Sequence, residues 1–377
     1  MVAVLVVLAV AGLAGCGGSD KGGSGTDTGS AAVEQKKLKV AVMYYGDLTN
    51  AYDRAFQKAV EAVVAKIGPD RIELQEIKGV PYSEQLTQIA DQALTRGADV
   101  VIDDQGGGQL LYAACKKHPD KHCITFYPTP LDGKPENVAG WFPSSWQDLY
   151  LQGVAAGKLT KSNILGYVSP FPSPLDTANV NSFLLGCQRV NPQCKVKVVA
   201  INTFFDPPKA QEATEALIRA GADVVNGLHD DPTILRVAQA KHVWGFGLYM
   251  PQAELGPDAY VTAWLATPPA SQFIEAKLRE VMDGRWNGEF EPESASGSNA
   301  LPLDTFGSKV PAAVKTAVEE VWRDAMQSGD NRDGAGVFDG PIRDNHGKVR
   351  IAEGESLPFT TLYDKWDWYV EGVEGGK

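Results

Sequence analysis

Aromatic side chains and acidic or amide side chains gather in the loops that follow the predicted strands. Flat aromatic faces suit a planar, uncharged ring, while carboxylate and amide edges hydrogen-bond its NH and carbonyl groups. Lysine and arginine are almost missing from these loops, which argues against a phosphorylated or anionic ligand. The residues predicted to contact a ligand are Tyr45, Asp47, Asn50, Asp104, Gly106, Trp141, Phe171, Phe205, His229, Asp231, Tyr249 and Trp264.

Three features of these loops resemble catalytic or anion-binding motifs, and each lacks a partner that the chemistry needs. Gly106-Gly107-Gly108 precedes a predicted helix, but neither a P-loop lysine nor GxGxxG spacing accompanies it. His229 stands beside Asp230 without a serine or cysteine nucleophile motif. The adjacent Asp103 and Asp104 point to opposite sides of a strand and do not converge automatically. We therefore predict no catalytic residue, no metal site and no cofactor.

A duplicated segment indicates how these loops are positioned. Ala93–Val101 reads ALTRGADVV, and Ala216–Val225 reads ALIRAGADVV. Each copy combines the end of an amphipathic helix, a glycine suited to a C-cap with positive φ, and the start of a valine-rich strand. Lys39–Met43 and Asn163–Tyr167 match at the same offset. The repeat predicts two similar α/β lobes that face each other across a ligand cleft.

From residue 38 onward, short apolar strands alternate with longer amphipathic helices, which is typical of parallel sheets. The predicted strands are 38–45, 71–77, 99–103, 123–127, 138–142, 164–168, 196–201, 223–227, 243–248 and 259–263. The predicted helices are 52–67, 83–96, 109–117, 146–158, 177–190, 208–220, 232–241, 272–283 and 311–328. We expect lobe 1 to span 38–158 with 264–300 returning to it, and lobe 2 to span 159–263 with part of 301–377.

The amino terminus differs from the globular remainder. The apolar stretch 1–15 is shorter than the roughly 20 residues that span a bilayer, and it ends in Leu13-Ala14-Gly15-Cys16, which resembles a bacterial lipobox. An ordinary signal peptide is the alternative. Residues 17–37 are rich in glycine, serine and threonine and predict a flexible tether. The net charge of −12 and the absence of a basic face argue against nucleic acid. We expect an exported protein whose Cys16 carries a lipid anchor.

The remaining four cysteines form two close pairs. In an oxidising compartment, such local pairs favour the disulfides Cys115–Cys123 and Cys187–Cys194. Zinc is the alternative for the first pair, because His118 and His122 lie between or beside its cysteines. Nothing comparable accompanies the second pair, and the predicted export favours two disulfides.

Five further segments carry a family resemblance. They are Tyr167–Pro172 with Asn181, Phe183 and Gly186; Asn202–Lys209; Gly221–Val225 with His229 and Asp231; Gly340–Asn345; and Trp368–Val373. Together they resemble the basic membrane protein (BMP) family of ABC-transporter substrate-binding lipoproteins over about 39–375. The resemblance implies type I periplasmic binding protein architecture, with two doubly wound parallel-sheet lobes joined by a multi-strand hinge, and a purine nucleobase or nucleoside as cargo.

Two departures from the family pattern concern the ligand. Nucleoside-binding members typically have an aspartate after the fourth strand of the second lobe, where this chain has Tyr249. The first-strand loop, residues 46–50, also lacks the aromatic residue of members that resemble nucleobase binders. A monomeric solute-binding protein that closes on a planar ligand and serves an ABC permease is the resulting prediction. A ligand-presenting sensor for a membrane receptor and an extracytoplasmic nucleoside hydrolase are the alternatives.

Overall fold

The computed structural model describes residues 36–376 except 105, 127–131, 266, 294–300 and 327–333. Residues 37–377 form one compact unit. The predicted lipobox with Cys16 and most of the predicted tether lie outside the described residues. None of the helices in the described part of the chain is both long and apolar enough to cross a bilayer.

The first six-stranded sheet belongs to lobe 1, and all its pairings are parallel. Its order is β11-β5-β4-β3-β1-β2. The strands are β1 (Leu38–Met43), β2 (Ile72–Ile77), β3 (Val100–Asp103), β4 (His122–Phe126), β5 (Val138–Pro143) and β11 (Phe290–Glu293). The accompanying helices are α1 (Ala51–Ile67), α2 (Glu84–Thr95), α3 (Gln109–Cys115) and α8 (Thr267–Met282).

The second six-stranded sheet belongs to lobe 2 and is also parallel, in the order β10-β9-β8-β6-β7-β14. Its strands are β6 (Ile164–Ser169), β7 (Lys195–Ala200), β8 (Val224–Gly227), β9 (Trp244–Tyr249), β10 (Tyr260–Leu265) and β14 (Val373–Gly375). The helices between β5 and β9 are α4 (Ser145–Leu159), α5 (Pro174–Val190), α6 (Pro207–Arg219) and α7 (Thr233–Lys241).

The carboxy-terminal region packs against lobe 2. It contains α9 (Ala312–Ala325), the antiparallel pair β12 (Ile342–Arg343) and β13 (Val349–Ile351), and α10 (Phe359–Asp364). Its apolar residues share one core cluster with α4 and α5. The α/β fold class and the two-lobed parallel architecture predicted from the sequence are confirmed.

The sequence repeat becomes a structural repeat. Gly97 and Gly221 both have positive φ, at 103° and 100°, as the C-cap interpretation requires. A similar backbone hydrogen bond follows each glycine, because Asp99 N donates to Lys39 O and Asp223 N donates to Ile164 O, but the lobe 2 acceptor is one residue later than the sequence repeat places it. Each helix end therefore delivers the next strand beside the first strand of its own lobe. The first five strands of the two lobes share one order, whereas the sixth strands lie on opposite edges, with β11 beside β5 and β14 beside β7.

Both predicted disulfides are present. Cys115–Cys123 joins the end of α3 to β4, and Cys187–Cys194 joins α5 to the residue before β7. The bonded sulfurs of the first pair are consequently not zinc-binding thiolates. Among the described residues, no group of three or more histidine, cysteine, aspartate or glutamate side chains could hold a metal ion.

Candidate functional site

The loop between β1 and α1 is folded around Asp53. Asn50 is the N-cap of α1, and its Oδ1 accepts a hydrogen bond from Asp53 N at 2.8 Å. Asp53 Oδ2 in turn accepts from Asn50 Nδ2 and from Gly46 N, both at 2.7 Å. A Cβ at Gly46 would lie 2.5 Å from that same carboxylate oxygen, so the close approach requires glycine. This reciprocal capping holds the Asp53 carboxyl at the cleft end of lobe 1.

The adjacent aspartates at the end of β3 have different roles. Asp103 accepts hydrogen bonds from Gly107 N and from Thr125 Oγ1, so it stabilises the turn before α3. Asp104 is fully buried, and its Oδ1 accepts from Tyr45 N at 3.2 Å. Burial and the neighbouring charges of Asp53 and Asp103 raise the pKa of Asp104 well above its ordinary value. Asp104 therefore favours its protonated form.

Lobe 2 contributes His229, Asp230 and Asp231 from the loop after β8. His229 Nε2 accepts from Asp206 N at 3.0 Å, which leaves Nδ1 as the protonated nitrogen, 3.3 Å from Asp231 Oδ2. Burial raises the pKa of Asp231, but the neighbouring His229 imidazole and the hydrogen bond from Thr233 outweigh it and lower the pKa overall. Burial raises the pKa of Asp230 to about 7, although a hydrogen bond from Tyr249 acts in the opposite direction.

Aromatic rings connect the two lobes. Tyr52 on α1 and Tyr249 at the end of β9 are edge to face, with centroids 5.0 Å apart, and Tyr249 packs against Trp264 at 5.2 Å. Ala51, Ala55, Leu228 and Leu248 complete this buried cluster. Tyr249 has φ of 66°, a left-handed conformation that is costly for a bulky residue and typical of functional sites. The lobes are therefore closed on each other at this point.

Three further predicted aromatics lie at the solvent-exposed rim of these loops. Tyr45, Phe171 and Phe205 are 51%, 39% and 48% exposed, respectively. Phe171 packs on Phe204 with centroids 5.3 Å apart, and the Phe205 ring is parallel to that of His229, with an interplanar angle of 3°. All three rings are therefore accessible from solvent.

The structure places half of the twelve predicted residues at or beside the contacts between the lobes. Trp141 packs in the core of lobe 1, stacked on Phe273 at 6.2 Å, and does not join the others. Asp47 is exposed and hydrogen-bonds Thr49. Gly106, with φ of 72°, forms the turn after Asp104. The six predicted residues that lie at or beside these contacts are Asn50, Asp104, His229, Asp231, Tyr249 and Trp264.

Three residues at the lobe contact were missing from the predicted set: Tyr52, Asp53 and Asp230. Tyr52 donates its hydroxyl to the carbonyl oxygen of Asp104, while Asp53 and Asp230 carry carboxyls on opposite lobes. The signal for Asp53 was available, because an acidic residue three positions after an N-cap asparagine is typical of a reciprocally capped helix start. Asp53, Asp104, Asp230 and Asp231 give the site four carboxyl groups, and His229 gives it one imidazole. None of the site residues named so far is a lysine or an arginine.

The chain matches known binding proteins at two levels. Residues 112–263 match the Bmp family model, described as "ABC transporter substrate-binding protein PnrA-like". The chain is also 29% identical over 356 residues to purine-binding protein BAB2_0673 of Brucella abortus, which covers 92% of this chain and 95% of that relative. Over residues 112–263 the chain resembles the Bmp family.

Another relative has a name with a different ligand. The putative ABC transporter glucose-binding protein TsgA13 of Haloferax volcanii is 29% identical over 370 residues, or 95% of this chain and 86% of that protein. A solute-binding protein structure from Conexibacter woesei has a TM-score of 0.61 at 22% identity, covering 78% of this chain and 98% of that one. This last likeness concerns the fold.

These similarities indicate the general role. The chain is similar to ABC transporter substrate-binding proteins rather than to enzymes, and proteins of that class work outside the cytoplasm with a membrane permease as their partner. The two lobes of this chain and their meeting loops fit that role, because ligands of doubly wound sheets lie at the carboxyl ends of the strands.

Proposed function

We propose that this protein binds a small planar ligand, a purine nucleobase or nucleoside, between its two lobes and delivers it to the permease by hinge closure. The observation that carries the proposal is the meeting of aromatic rings and carboxyls from both lobes at the ends of α1, β3, β8 and β9. Aromatic faces attract a planar ring, and carboxylates accept its N–H donors. The name of the Brucella relative supports the purine class.

Within this class, we propose that a free base binds at least as well as its nucleoside. The end of β9 carries Tyr249, whose ring packs between Tyr52 and Trp264. An aromatic ring offers one hydroxyl where a carboxylate would accept from two ribose hydroxyls. Hydroxyl groups that are buried without partners on closure cost free energy, so ribose adds a penalty at this position.

Calorimetry tests the ligand proposal. Adenine, guanine, their nucleosides and glucose are titrated into wild-type protein and into Trp264→Ala, with Trp286→Ala as a matched tryptophan control on the far side of lobe 1. We expect the bases to bind and Trp264→Ala to weaken them about tenfold, or 1.4 kcal/mol. A nucleoside preference of more than about tenfold would contradict the free-base proposal. Binding of glucose alone would contradict the purine proposal.

We also propose that the mature protein begins at Cys16, carries a lipid anchor there and acts as a monomer. Lobe 1 is proposed to span 38–158 with 264–300, and lobe 2 to span 159–263 with part of 301–377. The pairing of β11 with β5 and of β14 with β7 supports these lobe limits. Cys16→Ala should move the protein from the membrane fraction to the soluble fraction. Unchanged fractionation of that variant would overturn the anchor.

A further inference from the structure

The carboxyl groups of Asp53 and Asp104 form a buried pair in lobe 1. Both residues are at most 1% exposed, and the adjacent backbone N–H groups of Tyr45 and Gly46 donate to Asp104 and Asp53, respectively, which brings the two carboxyls close together. Two carboxylates this close in a buried site repel each other, so the pair holds one shared proton. Asp104 Oδ2 has no N–H or O–H donor in the described part of the chain. If the shared proton leaves, that oxygen is a buried anion without a partner.

The groups around the carboxyl pair also favour a proton on it. Its charged and titratable neighbours are Asp103 from β3, Tyr44 from the end of β1, and Asp230 from the loop after β8, followed by His229 and Asp231. The backbone N–H groups of Tyr45 and Gly46 and the amide of Asn50 supply the remaining donors to the pair. None of these groups is a lysine or arginine, so closure adds the negative charge of lobe 2 without a compensating cation.

The pair lies at the place where the lobes meet. Asp53 is two residues after Ala51, whose backbone N–H reaches the carbonyl oxygen of Asp230 in the other lobe at 2.8 Å. Asp104 accepts the Tyr52 hydroxyl at its backbone oxygen, and Tyr52 is the ring that touches Tyr249. A ligand held between the lobes therefore meets the pair from the solvent side of lobe 1.

We propose that the closed cleft binds its ligand together with one proton held jointly by Asp53, Asp104 and the ligand, and that the cargo is a neutral, weakly basic heterocycle rather than an anion. This inference rests on the proposed function and specifies its ligand class. A ring nitrogen with a lone pair accepts the Asp104 proton, and adjacent N–H groups donate to the carboxylate oxygens. No proton is lost from the complex, since it moves only within the group of three.

The linkage between proton binding and ligand binding determines how the ligand affinity changes with pH. At low pH the free pair already carries its proton, so a neutral base binds without proton exchange. At a pH above the transition of the free pair, binding must take one proton from the buffer. The affinity for a neutral base is therefore constant at low pH and falls about tenfold per pH unit above that transition. An anionic heterocycle, which brings negative charge to four carboxyls, binds poorly throughout.

The test measures the proton count directly. Adenine is titrated into wild-type protein between pH 5 and 9 in two buffers of different ionisation enthalpy, and urate serves as the anionic probe. We expect proton uptake to rise from about zero to about one across this range. In Asp104→Asn, the amide donates permanently to Asp53, so uptake by the pair should vanish and the affinity should become independent of pH.

Two matched variants separate the pair from other buried acids. Asp176 also has its pKa raised to about 7 by burial, but its hydrogen bonds come from Ser169 and Tyr167 of its own lobe and not from the pair, so Asp176→Asn should retain the wild-type proton uptake. Asp230→Asn removes the facing carboxyl and should also retain uptake by the pair. The inference is overturned if adenine binds wild type at pH 9 with no proton uptake, or if urate binds as tightly as adenine. The inference is also overturned if proton uptake is lost in Asp230→Asn but retained in Asp104→Asn.

Failure of the proposed function would look different. If no purine base binds at any pH from 5 to 9, the ligand class itself is wrong and this inference is wrong with it. If adenine binds with the same affinity at every pH, the purine proposal stands and only the shared proton is excluded. The wild-type titrations decide between these outcomes even if a variant fails to fold.

Discussion

Ala51 and Asp230 connect the two lobes through a main-chain hydrogen bond, in which Ala51 N donates to Asp230 O at 2.8 Å. Ala51 is the first residue of α1, and the first N–H groups of a helix have no partner inside it. The opposite lobe supplies that partner in the closed form. A helix start in lobe 1 is therefore satisfied by the backbone of lobe 2.

Ala51→Pro should weaken closure and leave lobe 1 folded. Proline is tolerated at the first helical position, and Asn50 already has the extended conformation that precedes proline, with φ of −80° and ψ of 158°. The substitution removes the N–H and directs Cδ at the Asp230 carbonyl. We expect a loss of about 1 kcal/mol or more, or about a fivefold or greater fall in ligand affinity. Ala51→Gly, which keeps the N–H, is the control, and equal affinities of the two variants would contradict the role of the bond.

Asp176 should make stability depend on pH. It is buried on α5, where burial raises its pKa to about 7, although hydrogen bonds from Ser169 and Tyr167 oppose that shift. Because the folded-state pKa exceeds the unfolded value of about 3.9, the folded protein holds the extra proton between these values. The contribution of Asp176 to stability is complete below about pH 4 and is lost as the pH rises to about 7.

Urea unfolding at pH 4, 5.5, 7 and 8 measures this effect. In Asp176→Asn, the number of protons released on unfolding should fall by up to one. Part of the pH dependence should remain, because the pKa values of Asp53, Asp104 and Asp230 are also raised. A variant with the wild-type pH profile would show that Asp176 is ionised in the folded state.

Each disulfide should contribute on the order of 2–3 kcal/mol in the chain-entropy model. The bonded cysteines are 8 and 7 residues apart, so the two closed loops have nearly the same entropy. Replacing Cys187 and Cys194 by alanine should lower the free energy of unfolding by about as much as replacing Cys115 and Cys123. Reduction of the disulfides in the wild-type protein is the control, because it should lower the free energy of unfolding without any substitution. Unaltered urea midpoints would contradict the prediction.

Gly186→Ala should destabilise the contact between α4 and α5. A Cβ at Gly186 would lie 1.9 Å from Tyr150 O, so the helices would have to separate. We expect a loss of about 1–3 kcal/mol in the free energy of unfolding. Ser182→Ala is the control one turn earlier on the same buried face, since it removes one hydroxyl and keeps the backbone spacing. A smaller loss in Gly186→Ala than in Ser182→Ala would show that the helices can separate at little cost.

The regular parts of the fold could be predicted because their signals are local. Alternation of apolar strands and amphipathic helices, the repeated glycine at 97 and 221, and the cysteine pairs all lie within short segments. The edge strands β11 and β14 could not be predicted, because Phe290–Glu293 contains a proline and Val373–Gly375 is only three residues long. Their pairing depends on partners far away in the sequence.

The site was only partly predictable for a related physical reason. A search of the loops at strand ends finds Asp104, His229 and Tyr249. It misses Tyr52 and Asp53 because both lie inside α1. It also includes Trp141, which is near the end of β5 yet is buried against Phe273 in the core. Which face of a helix or strand meets the opposite lobe is set by tertiary packing.

The two parallel edge strands determine when each lobe can be finished. β11 completes the sheet of lobe 1 only after the whole sequence of β6 to β10 has been made, and β14 uses residues 373–375 to complete the sheet of lobe 2. Chains usually fold domain by domain from the amino terminus during synthesis. Here the sheet of lobe 1 lacks a strand until residue 293 has been made, and the sheet of lobe 2 lacks one until residue 375 has been made. For a protein that works outside the cytoplasm, this delay favours passage through the export channel before folding is complete.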